Sequence, residues 1–361
     1  MMTNSGRDIS HHRVFIVTFG KGTLSGEPQL YKLEKIFSSI FGEDFTILVS
    51  NRASSISATQ KWDASIYSLL HDGMIEYLHI HSILRKNIRS NDVIVLFGVS
   101  SVFQIPVTLF SKIWRAKVLL YYGGAPKSTR TSILLLLADK VILGNPNLSR
   151  FFGIPQCCQK KLAGNGHLFV DTPFFKPLKH YGERKKVVGY VGVLTQVKGV
   201  LNFLRAIPII LQNHHDIQFM IVGDGDLKDE VDRLVRDLDV DKYVTLTGWI
   251  DYKKLPPFLN EMKLIVSPSY SEGLPSIIIE AMACGTPVLA TPVGGIPDII
   301  KDEGTGFIME NNSPECIAKN ILRVLNHPNL SGIIENAWEL VEKEFTFEAT
   351  IGKYRELLEK L

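Results

Sequence analysis

Two carboxylates separated by seven residues open the chemical reading of this chain. Glu272 sits in the polar run Ser267-Pro268-Ser269-Tyr270-Ser271-Glu272-Gly273-Leu274-Pro275-Ser276, and Glu280 lies inside the apolar run Ile277-Ile278-Ile279-Glu280-Ala281-Met282-Ala283-Cys284. The apolar triplet Leu264-Ile265-Val266 just upstream predicts a buried strand. The next segment predicts a helix with Pro275 at its first position, where a missing N–H costs nothing. A carboxylate inside such an apolar helix is rarely buried without a partner. The free N–H groups and positive dipole end of that helix suit a phosphate or diphosphate. Glu280, five residues past Pro275, lies roughly 7.5 Å along the axis at about 1.5 Å per residue, which suits a hydroxyl such as a ribose offers. A polyhydroxylated, anionic ligand is the chemistry expected here.

Three further constellations surround this pair. Gly189-Tyr190-Val191-Gly192-Val193-Leu194-Thr195-Gln196-Val197-Lys198-Gly199 reads as a strand ending at Gly192, with Lys198-Gly199 opening a helix. Gly192 allows close backbone approach, and Lys198 offers a cation to a diphosphate. Val222-Gly223-Asp224-Gly225-Asp226 contains an Asp-x-Asp pattern, but it falls between a strand and a helix. There Gly225 reads as a turn and Asp226 as a helix cap, so no metal is expected. Thr291-Pro292-Val293-Gly294-Gly295-Ile296-Pro297-Asp298 predicts a tight loop walling the space beside Glu272.

The elements that position these residues alternate along the whole chain. Strand-like runs at 13–19, 45–49, 93–97, 117–121 and 140–143 are separated by helical periodicity, as in Leu30, Leu33, Ile36, Phe37 and Ile40. The pattern restarts after a loop-rich stretch, Asp171 to Arg184, with strands at 186–191, 217–222, 243–246, 263–266 and 288–290. This βα alternation predicts two doubly wound α/β domains with parallel sheets. The expected division is 1–180 and 181–345, with 346–361 a last helix packing back on the first domain. In such sheets ligands bind at the carboxyl ends of the strands, and two tandem domains make the cleft between them the natural site.

The 361 residues carry a net charge of +3 that hides an asymmetry. Residues 1–180 hold 21 Lys and Arg against 11 Asp and Glu, and the remainder holds 19 against 26. Basic residues beside apolar ones, as in Lys112-Ile113-Trp114-Arg115-Ala116-Lys117, suit peripheral contact with an anionic membrane face or a phosphate-bearing acceptor. Aromatics are not interleaved with the basic residues, so nucleic acid is not expected as a partner. The polar start of the chain has no apolar signal-type run. Its most apolar segment, Ile133 to Ala138, is far shorter than the roughly 20 residues of a membrane span. Cys157, Cys158, Cys284 and Cys316 fit no zinc spacing, and a reducing compartment is expected. A cytoplasmic protein, peripheral at the cytosolic membrane face, follows.

The Ser-Glu-Gly-Leu-Pro-Ser…Glu-Ala-Met-Ala-Cys-Gly-Thr-Pro-Val…Gly-Gly-Ile-Pro-Asp series, with Val-Gly-Asp-Gly and Lys-Gly upstream, resembles the retaining glycosyltransferases of the GT4 family, of GT-B fold. The likeness is specific over about 185–310. Upstream, Asn165-Gly166 with Val170-Asp171 and Phe175-Lys176-Pro177 is similar to the family's segment leading between the domains. The resemblance implies two Rossmann-like domains and transfer of a sugar from a nucleotide-sugar donor to a glycan or lipid-linked hydroxyl acceptor, without a metal ion. It implies that Glu272 meets donor-sugar hydroxyls, that the backbone of Gly273, Leu274, Pro275 and Ser276 holds sugar and phosphate, and that Glu280 binds the ribose. Lys198 would take the diphosphate, beside Gly192, and Gly26 would approach the phosphates from the first domain. Two departures stand out. Val193 occupies the position where many members carry Arg, leaving Lys198 or a residue such as Lys21 to compensate, and Leu119 to Ala125 lacks the His that many members place near the reacting sugar. The competing readings are a sugar-nucleotide epimerase of the same fold and a non-catalytic nucleotide-sugar-binding subunit.

Overall fold

A computed structural model describes residues 14–19, 27–41, 45–50, 67–69, 81–82, 84–90, 92–97, 104–122, 129–143, 154, 156–165 and 169–359. The chain forms two compact units, one of residues 1–168 with 348–361 and the other of residues 169–347. The expected linker, Asp171 to Arg184, packs on the second unit. Phe175 enters its core, the Leu178 N–H donates to Asn260 at 2.6 Å, and Asn260 donates to the Lys176 carbonyl at 3.0 Å.

In the first unit the order is β1 Val14–Phe19, α1 Glu27–Phe41, β2 Phe45–Ser50, β3 Tyr67–Leu69, β4 Val93–Phe97, α2 Gln104–Ile113, β5 Lys117–Tyr122, α3 Thr129–Leu137, β6 Lys140–Leu143 and β7 Leu162–Asn165. Among the described residues these strands form a seven-stranded parallel sheet of order β3-β2-β1-β4-β5-β6-β7. Parallel strands covered on both faces need apolar side chains on both sides. The runs Val-Ile-Val-Leu-Phe and Lys-Val-Leu-Leu-Tyr-Tyr supply them, and Ile94, Leu96, Val118 and Leu120 are buried against Val107 and Leu134.

The second unit runs β8 Val187–Val191, α4 Val200–Leu211, β9 Gln218–Val222, α5 Lys228–Asp237, β10 Val244–Gly248, α6 Leu255–Glu261, β11 Leu264–Ser267, α7 Ser276–Ala283, β12 Val288–Ala290, α8 Ile296–Ile299, β13 Phe307–Ile308, α9 Pro314–Leu325 and α10 Leu330–Glu344. Its parallel sheet has the order β10-β9-β8-β11-β12-β13. Alternation along the strands feeds two cores. Phe219, Ile221 and Leu264 meet Phe203 and Ile207 of α4 and Ile317 of α9 on one face. Ile265 and Val288 meet Ile278 and Met282 of α7 and Val341 of α10 on the other. The last helix, α11 Phe347–Glu359, belongs to the first unit, where Tyr354 meets the Phe37 ring edge-on at 5.8 Å.

Sequence periodicity found every long strand and missed β3, β7 and β13. All three are short, and β3, β7 and β13 lie at sheet edges, where fewer neighbours demand an apolar side chain.

One buried cation fastens the second unit. The Arg184 side chain is buried, with the residue 5% exposed, and donates to the Met262 carbonyl at 3.1 Å, the Cys284 carbonyl at 2.7 Å and the Thr286 hydroxyl at 2.6 Å. Met262 and Cys284 follow the C-termini of α6 and α7, where exposed carbonyls favour a positive charge. Burial lowers the pKa of the guanidinium and pushes the Cys284 thiol up to about 12.

Candidate active site

The strand order reverses between β8 and β11. These neighbours pair in parallel, with Leu264 opposite Val188, and β9 leaves β8 on its other side. Loops leaving the carboxyl ends of two such strands diverge and open a crevice. Lys198 lies in the loop after β8 and Glu272 in the loop after β11, which is why residues 74 apart in sequence meet.

Local backbone conformation fixes both loops. Gly192 donates its N–H to the Val222 carbonyl at 3.0 Å, and its own carbonyl packs so closely on Gly223, at φ +145°, that a Cβ on Gly223 would overlap it. The β8 loop then makes a 3-10 turn, Gln196–Lys198, and Gly199 at φ +71° turns the chain into α4. The Tyr270 N–H donates to the Val197 carbonyl at 2.8 Å and stitches the two loops together.

Glu272 is the centre of the site. Its side chain is only 7% exposed, and the Lys198 Nζ donates to both carboxylate oxygens at 2.7 Å. The Ser269 hydroxyl donates to Oε1 at 2.7 Å. Ser269 is itself held by Thr291, whose hydroxyl donates to the Ser269 carbonyl at 2.6 Å. The loop after β12 closes the wall. Gly294 at φ +58° leaves no room for a Cβ beside the Glu272 carbonyl, and the Gly295 N–H donates to Gly273 at 2.7 Å. Beneath lies Tyr190, whose hydroxyl donates to the Val193 carbonyl at 3.0 Å. Burial first, and the Glu272 charge second, raise its phenol pKa well above the ordinary tyrosine value.

The helix α7 begins one residue later than the sequence suggests. Pro275 is extended, with ψ 122°, and caps the helix, so Ser276 is its first residue. The cap position suits proline because its nitrogen lies outside the helical hydrogen-bond ladder, while its carbonyl accepts from the Ile278 N–H at 3.1 Å. Glu280 follows in the body of the helix, 3% exposed, and Tyr252 donates its hydroxyl to Oε1 at 2.8 Å. Tyr252 starts a 3-10 turn after β10, capped by Asp251, and packs its ring 5.1 Å from Phe175.

Residues 173–339 match the family described as glycosyl transferases group 1. The second unit belongs to this family.

Among its relatives, an uncharacterized glycosyltransferase of Methanocaldococcus jannaschii is 31% identical over 182 residues, covering 49% of this chain and 46% of that protein. Three further relatives match in the same way, so the matched stretch spans about half of the length of these proteins. A longer match, 27% identical and covering 81% of this chain and 77% of the relative, is to the Escherichia coli UDP-Gal:alpha-D-GlcNAc-diphosphoundecaprenol alpha-1,3-galactosyltransferase. Among solved structures, Anabaena HepE in complex with UDP superposes with a TM-score of 0.79 at 16% identity, over 97% of this chain and 100% of that one. Likeness over that span gives the chain the GT-B fold.

Within the glycosyltransferase domain, Lys198, Glu272, Gly273, Leu274, Pro275 and Ser276 gather at the β8–β11 crevice, with Gly192 on its β8 side and Glu280 in the helix behind. Gly26 and Lys21 lie outside the described residues. Asp226 does not cap α5. The Leu227 N–H reaches back to the Leu194 carbonyl at 3.0 Å, so Leu227 takes the cap position. Asp224 accepts from the Gly225 N–H at 2.7 Å. Among the described residues no group of three or more His, Cys, Asp or Glu side chains could hold a metal ion.

Sequence reasoning missed Ser269, Thr291 and Tyr252. Ser269 lies three residues before Glu272, a spacing that could have flagged it. Thr291 and Tyr252 come from other loops and carry no local signal. The Tyr252 contact has a measurable consequence. One carboxylate oxygen of Glu280 is held by Tyr252, which orients the other. If Glu280 takes a donor ribose, as the family resemblance implies, Tyr252→Phe is expected to raise the donor KM about tenfold to a hundredfold with kcat little changed, the cost of one hydrogen bond to a charged group. It should also narrow the preference for ribose over 2′-deoxyribose donors, and an unchanged preference would count against the orienting role.

Proposed function

We propose that this chain is a retaining glycosyltransferase that moves a sugar from a nucleotide-diphosphate sugar to a hydroxyl of a glycan or lipid-linked glycan, without a metal ion. The observation that carries the reading is the Lys198 ammonium held on Glu272 at the mouth of α7, with Glu280 buried one turn further in. As the glycosyl bond breaks, negative charge grows on the departing diphosphate. Lys198 and the first-turn N–H groups of α7 are fixed positive groups in position to stabilise it. Glu272 then accepts from donor-sugar hydroxyls and Glu280 from the ribose. Support for metal independence is the same positive set, together with Asp224 and Asp226 being exposed and Asp224 accepting from the Gly225 N–H of its own loop. Support for a uridine donor comes from the HepE complex with UDP and from the name of the E. coli relative, which also carries a lipid diphosphate acceptor. That acceptor class makes peripheral contact with an anionic membrane face, at the cytosolic side, part of the same reading. No helix among the described residues is long and apolar enough to cross a membrane.

The test is a thermal-shift panel of nucleotide diphosphates and their sugars. A ligand at a hundredfold excess over its Kd adds about 2.7 kcal/mol of stability. UDP and one UDP-sugar are expected to raise the transition most, and to the same extent with EDTA present. A panel in which no nucleotide moves the transition overturns the reading, and a shift abolished by EDTA overturns its metal-free part. Incubating the selected donor with acceptor, and following the anomeric proton by NMR, separates transfer with retention from inversion and from epimerisation of the donor.

A further inference from the structure

The positive charge of the first half of the chain is concentrated in one stretch. Residues 81–162 hold twelve Lys and Arg against two acids, Asp92 and Asp139, whereas the rest of residues 1–180 holds nine of each. Both acids are engaged. Asp92 is buried and accepts from the Arg89 N–H at 2.6 Å. Asp139 takes Lys112 at 2.5 Å and the Val118 N–H at 2.7 Å. Among the described residues of this stretch, the surface charges left without an acidic partner are therefore positive.

Large apolar side chains stand out from the same surface. Leu109 and Ile113, one turn apart on α2, are exposed, as are Trp114 just beyond it and Ile133 and Leu136 on α3. Ile113 is 77% exposed. The helices pack side by side, and the Lys112–Asp139 pair joins their C-terminal ends. On the other flank of α2 the His81 ring lies 4.3 Å from Phe110, which brings the segment bearing Arg85, Lys86 and Arg89 alongside. Ile113 and Trp114 precede β5, and Leu136 precedes β6, so the apolar residues reach the end of the sheet where strands begin. The loops that follow the strands, where ligands of such sheets bind, lie at the other end.

We propose that this α2–α3 face is a docking surface for an anionic lipid bilayer. Apolar side chains including a tryptophan, beside Lys and Arg and with no unengaged carboxylate among the described residues of this stretch, match an interface in which apolar tips enter the headgroup boundary and cations meet anionic headgroups. A protein partner is disfavoured by the single sign of charge. Nucleic acid is disfavoured because Trp114 is the one exposed large aromatic of this face among the described residues. The inference extends the lipid-linked part of the proposed function, but it is read by partition onto vesicles rather than by turnover.

The experiment compares sedimentation of the full chain with vesicles of phosphatidylcholine alone and of phosphatidylcholine with phosphatidylglycerol. Binding is expected to the anionic vesicles only and to weaken with added salt. Ile113→Ser with Trp114→Ser should lower partition at least tenfold. Arg85→Gln, Arg89→Gln and Arg115→Asn together should lower it about a hundredfold. Asparagine is chosen at Arg115 because that residue sits at φ +59°, a conformation asparagine tolerates. Both variants should keep the wild-type thermal transition and the wild-type transfer rate to a water-soluble acceptor analogue. Equal binding to the two vesicle types, undiminished binding by both variants, or binding to single-stranded RNA with none to vesicles would overturn the proposal. Vesicle binding without any transfer activity would leave this surface standing and remove the proposed reaction instead.

Discussion

Glu272→Gln and Lys198→Ala are each expected to lower kcat/KM for sugar transfer by about a hundredfold to a thousandfold, the scale on which a single fixed group stabilising transition-state charge acts. The double variant should be little worse than the poorer single one. The two side chains form one unit, with both Glu272 oxygens on one ammonium, and groups that act together lose their effect together. The two singles should nonetheless fail differently. Lys198→Ala removes the cation proposed for the diphosphate, so it should also abolish most of the thermal shift given by the bare nucleotide diphosphate. Glu272→Gln keeps the cation and removes an acceptor for sugar hydroxyls, so the bare nucleotide should still bind while the sugar adds nothing. Near wild-type turnover in both variants would remove the proposed site. Identical nucleotide binding in the two would remove the division of roles between them.

Arg184→Ala is expected to be the most damaging single change to stability, at about 3–5 kcal/mol. Its cause is the set of acceptors left behind. Two buried carbonyls and the Thr286 hydroxyl lose a charged donor at once, and two helix C-termini lose their cation. Arg184→Lys should recover only part of this, because an ammonium cannot reproduce the guanidinium fork that spans Met262, Cys284 and Thr286. Urea denaturation monitored for the second unit decides the matter. A loss below about 1 kcal/mol would mean that water or a relaxed loop replaces the guanidinium.

The legibility of this molecule in its sequence follows from where the physical demands are local. Buried parallel strands require apolar runs, so β4, β5, β8 and β11 announce themselves. The short edge strands have no such requirement. Glu280 was conspicuous because a carboxylate among isoleucines asks for a partner, but nothing near it said that the partner would be Tyr252, contributed by the loop after β10. The Lys198–Glu272 pair depends on β8 lying beside β11, a property of strand order that no window of sequence contains. Family resemblance supplied what spacing could not, by linking Lys-Gly and Ser-Glu-Gly across the intervening elements. The errors were of the opposite kind. The rules for helix starts point to Pro275 and Asp226, and each helix begins one residue later: Pro275 is extended and caps α7, and the Leu227 N–H, held by the Leu194 carbonyl, makes Leu227 the cap of α5.

The return of the chain into its first unit has a consequence for biosynthesis. Residues 348–361 belong with 1–168, yet the whole of 169–347 is translated between them. Tyr354, buried against Phe37, cannot arrive until that interval has passed. At about 5–20 residues per second the wait is roughly ten to forty seconds. During it the nascent first half must persist on the ribosome without its final helix, with the Phe37 surface uncovered. The second unit, continuous in sequence, can close as soon as it emerges. The half synthesised first is therefore the half that matures last, and chaperone dependence during translation should track the first unit rather than the second.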